Sequence, residues 1–149
     1  MSPKKQKHTQ IKADAGYTQF LKSIEPITIF LLESRFRVDR DRLFKERSGK
    51  VSVAWKCVPV EVGGDYFEAD ASLKVKAGRA TGKSKPYVEI DATFRLHLHA
   101  PKPIIRAFID RFTDSEVRIL IWPYFREYVT NITGRMSIPP VVLPLGARE

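Results

Sequence analysis

The stretch YFEADASLKVKAGRATGKSKPYVEIDATFRLHLH, residues 66–99, decides the fold. It contains two runs in which apolar and polar residues alternate, 67–75 and 88–98, with a basic loop between them. A period of two places all the apolar side chains of a strand on one face. Each run therefore predicts a β-strand with one buried and one polar face, and the loop predicts that the two strands are antiparallel neighbours.

Two further strands are predicted upstream of this stretch. The second of them, residues 51–62, changes the phase of its alternation beside Pro59, which indicates a bulge or an edge strand. Gly63-Gly64-Asp65 has the composition of the turn that follows it. Four sequential strands with one polar face predict an antiparallel sheet that is covered on one side only. In the first of the two upstream strands, the predicted buried residues are Phe30, Leu32, Phe36 and Val38.

One short helix is predicted before the strands and another after them. The first covers residues 17–24, where apolar residues recur every three to four positions, and Pro26 ends it. A strand that starts late in this stretch is the alternative. The second covers residues 104–112 and begins after two prolines. At the C-terminal end, residues 138–145 contain three prolines and are predicted to be extended.

A longer helix is predicted to begin at Thr113, because Thr113 and Glu116 have the spacing of a capping box. The apolar residues that follow form a wide stripe, and Gly134 is the predicted C-cap. Pro123 lacks an amide donor and predicts either a kink or two helices, the longer one starting at Trp122. With the strands, this predicts an α+β fold in which a long C-terminal helix covers one face of a four-stranded antiparallel sheet.

Composition sets the broad class of the protein. The chain has 149 residues, 43% of them apolar, which is enough for one substantial core. We predict one domain over residues 13–149, preceded by a disordered basic arm over residues 1–12. The net charge of +9 favours anionic or acidic partners, and Cys57, the only cysteine, excludes an internal disulfide. No apolar run suits a membrane span or a signal peptide, so a cytoplasmic protein is expected.

Two motifs have spacings that also occur in ligand sites. Residues 77–84 match a relaxed phosphate-loop pattern, but a strand is predicted to follow them instead of a helix, so a basic hairpin loop is favoured. His97 and His99 lie on one face of a strand, yet no third ligand supports a metal pair. No nucleophile can be matched with a base either. Neither an enzyme nor a metal or cofactor is therefore expected.

Single-stranded nucleic acid is an alternative partner. The basic residues Lys74, Lys76 and Arg95 are predicted on the outer sheet face, and with cations of the loop and the arm they could line up against phosphates. Readers of single strands also need stacking aromatic residues on that face. Only Tyr66 and Tyr87 are predicted there, so nucleic-acid binding ranks second.

The C-terminal third of the chain carries a recognisable order of motifs. IWPYFREYV at residues 121–129 is followed by Gly134-Arg135 and by IPPVVLPL at residues 138–145. This order resembles the SecB family of protein-export chaperones, in which an aromatic-Pro-Tyr-Ala-Arg-Glu helix start precedes an Arg-containing turn and a Pro-x-x-x-Leu-x-Pro segment. Phe125 replaces the family's alanine. The resemblance covers residues 27–145 and is strong over residues 121–145.

This resemblance implies an ATP-independent holdase that keeps client polypeptides unfolded and works as a tetramer built as a dimer of dimers. Burying one apolar side chain contributes about 1.5 to 3 kcal/mol, whereas association costs on the order of 4 to 15 kcal/mol. Holding clients without sequence specificity therefore needs many weak apolar contacts, which an oligomer provides through avidity. The resemblance also implies Trp122 and Tyr124 as client contacts, with a structural role in the core as their alternative.

Two features depart from the family pattern. Export-type SecB meets the SecA motor through acidic sheet residues, whereas basic residues surround the acidic ones here, so SecA is not an expected partner. Family members also continue into a second helix, which is not expected here because the sequence ends at Glu149. By analogy, we expect a chaperone dedicated to one client, such as the antitoxin of a toxin-antitoxin system. The partner-binding sheet face is assigned to Lys74, Lys76, Glu89, Asp91 and Arg95.

The charged connection between the first two strands contains two apolar residues, Leu43 and Phe44. Exposed apolar residues in such a setting indicate a wall of the client groove. The alternative, which is equally favoured, is that both side chains anchor the connection to the core.

Overall fold

The computed structural model describes residues 15–46, 49–78 and 85–145. The arm predicted at residues 1–12 lies outside the described residues, as does most of the phosphate-loop-like segment. Within the described ranges, the chain forms three helices and four strands. In chain order they are α1 (15–23), β1 (Glu25–Val38), α2 (Arg40–Lys45), β2 (Lys50–Val62), β3 (Tyr66–Gly78), β4 (Val88–His99) and α3 (Arg106–Arg135).

The four strands form one antiparallel sheet in the order β1-β4-β3-β2. Strands β2, β3 and β4 are neighbours in sequence order, whereas β1 lies beside β4 and is joined to β2 by the connection that contains α2. This is a Greek-key arrangement. The register of β3 on β4, with Leu73 opposite Ala92, keeps the apolar residues of both strands on one face. The predicted α+β fold, with a long C-terminal helix over one face of the sheet, is confirmed.

The core lies between α3 and the inner face of the sheet. Burial alternates along β3 and β4 because one side of these strands faces the helix and the other faces solvent. Phe125 of α3 is fully buried, and its ring centroid lies 5.3 Å from that of Phe94 in an edge-to-face contact. Near the start of α3, Phe112 packs edge-on against Phe20 of α1 and Phe67 of β3. The short helix predicted before the strands is thus present and belongs to the core.

Helix α3 is one continuous helix of 30 residues, so the prediction of two segments is wrong. A stripe of buried residues spaced mostly four apart runs through both predicted segments, and packing on the sheet joins them. Thr113 does not cap a helix start; it is buried inside α3, and its hydroxyl has no described hydrogen-bond partner. Pro123 lies on the exposed side of α3. Because Pro123 has no amide N–H, the carbonyl of Ile119 lacks its usual donor, but Ile119 is exposed as well and its carbonyl can be hydrated.

The C-terminal end of α3 also differs from the prediction. Its C-cap is Met136 and not Gly134, and Ser137 adopts the left-handed φ of 53°. The Ser137 amide donates to the carbonyl of Gly134 at 3.0 Å, which satisfies one of the last helix carbonyls. Residues 138–145 then form no regular secondary structure, in agreement with the extended segment predicted there.

The two edge strands each contain an irregularity. In β2 the register shifts between Pro59 and Glu61, which confirms the predicted bulge. In β1 it shifts between Leu31 and Glu33, so the buried set predicted for this strand is wrong. The bulge changes which residues face the helix, and Phe30 lies on the outer face of the sheet. The residues of β1 on the inner side are Ile29, Leu31, Ser34, Phe36 and Val38.

Tyr87 is buried, although the alternation in the sequence predicts it on the outer face. It precedes β4, where its amide donates to the carbonyl of Ala77 at 2.9 Å and its carbonyl accepts from the amide of Asp39 at 2.8 Å. Its hydroxyl occupies the space beside Gly49, since a Cβ at Gly49 would lie 1.6 Å from that oxygen. Tyr87 therefore closes the end of the sheet next to α2, and the turn geometry there overrides the strand pattern.

Replacing Phe125 with alanine should lower the free energy of unfolding by about 3 to 5 kcal/mol, because it leaves a cavity under Phe94 at the centre of the core. Urea denaturation followed by circular dichroism measures this change. Ile119→Ala on the same helix is the control and should change stability by less than about 0.5 kcal/mol, since Ile119 is 68% exposed. Equal effects of the two substitutions would contradict the packing described here.

Candidate functional site

The inner face of the sheet is not fully covered, and one of the places where it is open lies at β1. Helix α3 makes its main contacts with β2, β3 and β4. No residue of β1 is buried, and its large apolar side chains are exposed on both faces of the sheet. A strand in a folded domain usually has at least one face buried, so this surface is unusual for a separate molecule. The exposed apolar residues of β1 are Ile27, Phe30, Leu31, Leu32 and Phe36.

A groove of about 330 Å³ separates β1 from the C-terminal half of α3; below we refer to it as the β1–α3 groove. The rings of Tyr124 and Tyr128 meet Phe94 edge-on, with centroids 6.1 and 6.2 Å away. The Tyr128 hydroxyl is buried and has no hydrogen-bond partner among the described residues. The groove is lined by Leu31, Phe94, Tyr124, Glu127, Tyr128, Asn131, Ile132 and Arg135.

The chemistry of the β1–α3 groove suits an apolar side chain on an extended polypeptide. Its floor is apolar and aromatic, while Glu127, Asn131 and Arg135 supply charges and an amide. Apolar floors bury side chains, and a few polar groups at the edge can bond to the main chain that carries them.

The two aromatic residues that the sequence assigned to client contact lie in different environments. Tyr124 is 41% exposed and lines the β1–α3 groove. Trp122 is only 6% exposed, and its Nε1 donates to the carbonyl of Pro144 at 2.8 Å. Arg126 donates in the same way to the carbonyl of Leu143 at 3.3 Å. The extended segment at residues 138–145 thus covers Trp122, whereas Tyr124 is open to a partner.

Leu43 and Phe44 lie in the short helix α2, not in an irregular loop. Asp39 caps α2 by accepting from the amide of Arg42 at 3.1 Å, and Arg40 donates to the carbonyl of Met136 at 2.6 Å. The bond of Arg40 attaches α2 to the end of α3. Leu43 packs against the core, whereas Phe44 is 60% exposed. Neither residue lines the β1–α3 groove, so their client contact stays a prediction.

The outer face of the sheet brings together all five residues assigned to partner binding. Arg95 is bonded to Asp70 at 2.8 and 3.0 Å, and this hydrogen bond is the main cause that raises the pKa of Arg95. Lys74 lies 3.5 Å from Asp91, and Lys76 lies 3.8 Å from Glu89. The three cations that could contact phosphates are therefore each paired with a carboxylate on the same face. This pairing weakens the nucleic-acid alternative, because phosphate binding needs cations that can replace released counterions.

The end of this face near the β2–β3 turn is also held by polar contacts. His97 Nδ1 lies 3.1 Å from Glu68 Oε1, and its ring stacks on Tyr66 with centroids 4.9 Å apart. The Tyr66 hydroxyl donates to Glu61 at 2.7 Å, which is the main cause that raises its pKa. His97 is thus used in a polar network, and the described residues contain no group of three or more potential metal ligands.

The structure shows no activated nucleophile at Cys57. Its side chain is on the inner face of β2, opposite Ala71. Burial raises the pKa of the thiol to about 12, and the nearby carboxylate of Asp114 adds to this effect, while Arg118 opposes it. A thiol with such a pKa is protonated at neutral pH and is a weak nucleophile.

None of the described helices is both long and apolar enough to cross a membrane.

Of the residues that line the β1–α3 groove, the sequence reasoning assigned only Tyr124 to client contact. Leu31, Phe94, Tyr128 and Ile132 were read as core positions or not singled out. One signal was available: residues 29–32 are four consecutive apolar residues, which a strand with one buried face does not need. Such a run indicates a strand with apolar side chains on both faces.

The fold and the groove define an α+β protein with a surplus of apolar surface beside its long helix. No protein-family model and no curated protein match the sequence. Among solved structures, the chain is similar to Mycobacterium tuberculosis Rv1957, a SecB-like chaperone in complex with a ChAD peptide from the Rv1956 HigA1 antitoxin. The TM-score is 0.67 with 16% identity, over 89% of this chain and 96% of that chain, which shows a shared fold.

A second similar structure is a protein of unknown function from Streptococcus agalactiae. It is 12% identical, with a TM-score of 0.46 over 82% of this chain and 97% of that chain. Likeness at this level supports no conclusion about function.

The raised pKa of Cys57 predicts slow alkylation in the native protein. At pH 8 a thiol with a pKa of about 12 has far less thiolate than one with the ordinary value of 9.0, so iodoacetamide should react much more slowly with the native protein than with the protein in urea. Mass spectrometry measures the modified fraction. Asp114→Asn removes a charge that raises the pKa and should speed the native reaction. Equal rates in the native and unfolded protein would contradict the burial of Cys57.

Proposed function

We propose that this protein is a SecB-like molecular chaperone that binds extended polypeptide clients without using ATP. The observation that carries the proposal is the β1–α3 groove together with the exposed apolar residues of β1. The similar fold of Rv1957, a SecB-like chaperone solved with an antitoxin peptide, supports this choice of function. We propose a dedicated client such as an antitoxin in preference to general export.

The proposed mechanism is holding through many weak contacts. One groove accepts one or two apolar side chains, each contributing about 1.5 to 3 kcal/mol. Ordering and association of an unfolded client cost on the order of 4 to 15 kcal/mol, so one groove gives weak binding only. Several grooves on one oligomer bind successive segments of the same client, and the total affinity rises by avidity. Weak single contacts also allow release without nucleotide hydrolysis.

The proposal includes a homo-oligomer, a tetramer built as a dimer of dimers, with β1 at an interface between copies. Strand β1 is an edge strand of 14 residues, so one row of its main-chain groups has no strand partner in the described chain. Its apolar side chains are exposed on both faces, so a second copy that pairs with this edge would cover part of them and leave the β1–α3 groove open to clients. We do not propose SecA as a partner, because the basic and acidic residues of the outer face are paired with one another.

Stoichiometric amounts of the protein should slow the aggregation of an unfolded model protein in the absence of nucleotide. Tyr124→Glu places a charge in the β1–α3 groove and should weaken client binding about tenfold or more, because the charge would have to be desolvated. Light scattering measures aggregation, and fluorescence anisotropy with a labelled client segment measures affinity. Ile119→Glu is the matched control, since Ile119 lies on the same helix outside the groove and is more exposed. Unchanged aggregation with the wild-type chain would refute the proposal.

Phe36→Glu should dissociate the oligomer. Phe36 is 49% exposed in the separate chain and lies on the inner side of β1, so a charge there is tolerated by the monomer but not by a buried interface. Size-exclusion chromatography with light scattering should show the wild type at a multiple of 17.1 kDa and the variant at a lower mass. Phe44→Glu is the control, because Phe44 is equally open but lies on α2. A wild-type mass of one chain would contradict the interface.

A further inference from the structure

The second edge of the sheet, strand β2, has an open row of main-chain groups. Among the described residues, β2 pairs with β3 alone, over Lys50–Val62. The N–H and C=O groups that point away from β3 can pair with another extended chain. The register shift between Pro59 and Glu61, and the missing amide donor of Pro59, limit the regular part of this edge to residues 50–58.

The two faces of β2 differ in chemistry. The register on β3 places Val51, Val53 and Trp55 on the inner face, opposite Ala77, Val75 and Leu73. Val51 and Val53 are 46% and 38% exposed, so the edge of the core is open beside them. Trp55 is covered by the guanidinium of Arg118, which lies 4.5 Å from its ring centroid. An apolar side chain on an added strand would lie beside the two valines and extend the core.

The outer face of β2 is basic. Lys50 and Lys56 point to this side, with Ser52 and Ala54 between them. No ion pair of Lys50 or Lys56 with another described residue is present, whereas Lys74 and Lys76 on β3 are paired with carboxylates of β4. Acidic side chains at the matching positions of an added strand would pair with the two lysines.

We propose that the β2 edge, residues 50–58, binds an extended client segment as a fifth strand, and that it selects segments in which apolar and acidic residues alternate. The inference rests on the proposed chaperone function. It adds a second client-binding site and the chemistry of the segments that bind there. Main-chain hydrogen bonds supply affinity that is independent of sequence, and the two faces of the strand supply the selection. Long-range attraction between the chain, with its net charge of +9, and acidic clients supports the encounter.

A second copy of this chain fits the β2 edge less well than an acidic client does. When two β2 strands pair antiparallel about Val53, Lys50 of each strand lies opposite Lys56 of the other, and like charges directly opposite one another are destabilising. Strand β1 has no such pair of lysines, and it exposes apolar side chains on both faces, beside Glu33, Arg35 and Arg37 on the outer one. We therefore assign the β1 edge to contact between copies and the β2 edge to clients, in addition to the β1–α3 groove.

The test uses the full-length protein and labelled nine-residue peptides that alternate valine with glutamate or valine with lysine. Fluorescence anisotropy should show preference for the glutamate peptide, and a peptide of the same composition in scrambled order should bind at least about tenfold more weakly. The double variant Lys50→Glu, Lys56→Glu should reverse the preference between the two alternating peptides, because two cross-strand pairs with the glutamate peptide change from attraction to repulsion. The ratio of the two affinities should change by about tenfold in total.

Strand addition is distinguished from simple charge attraction by peptide N-methylation. An added strand bonds to β2 through the amides of every second residue, so N-methyl groups on one alternate set should abolish binding and those on the other set should leave it nearly unchanged. Equal effects of the two sets, or an unreversed preference in the double variant, would overturn the proposal. Dissociation of the oligomer in the double variant would also overturn it, because β2 would then be an interface between copies.

The same samples separate this inference from the proposed function. If aggregation is suppressed and Tyr124→Glu reduces the effect while no alternating peptide binds, only the β2 proposal fails. If the wild-type chain neither suppresses aggregation nor binds the peptides, the chaperone function fails as well.

Discussion

One α-helix is narrower than a four-stranded sheet. Strands lie about 4.8 Å apart and a helix with its side chains is about 10 Å across, so α3 can cover roughly two to three strands. Its main contacts are with β2, β3 and β4, and no residue of either edge strand, β1 or β2, is buried. The β1–α3 groove and the exposed apolar residues of β1 both follow from this mismatch in width. Apolar surface of this kind is stabilised by contact with other polypeptides, which is the physical basis of the proposed chaperone activity.

The outer face of the sheet has the opposite character. Its cations and carboxylates are paired across neighbouring strands, as in Arg95 with Asp70 and Lys74 with Asp91. Exposed pairs of this type contribute only about 0 to 1 kcal/mol each, so their main effect is to keep the face hydrated and balanced in charge. The proposed association therefore uses the inner groove and the two edge strands instead of this face. An apolar inner side with a charge-matched outer side gives the sheet a defined binding surface.

Local patterns predicted the fold well where a residue's environment depends on its neighbours in sequence. The strict alternation in β3 and β4 gave the correct buried faces, and Pro59 correctly marked the bulge in β2. The capping-box pattern at Thr113 was misleading because a continuous buried stripe extends α3 through it. Tyr124, which the sequence assigned to client contact, is accessible in the groove, but Leu31 and Ile132, which lie about a hundred residues apart, meet there only through tertiary packing.

The sequence by itself determined the period of each strand, the class of the fold and the presence of more apolar residues than one helix-covered sheet can bury. These properties depend on local spacing and on composition, which the chain carries in any conformation. Only the tertiary structure decided where the surplus is exposed. The position of α3 on β2, β3 and β4, the bulge in β1 and the cover of residues 138–145 over Trp122 arise from contacts between distant segments. Such contacts are selected by the packing of the whole core, so local patterns cannot specify them.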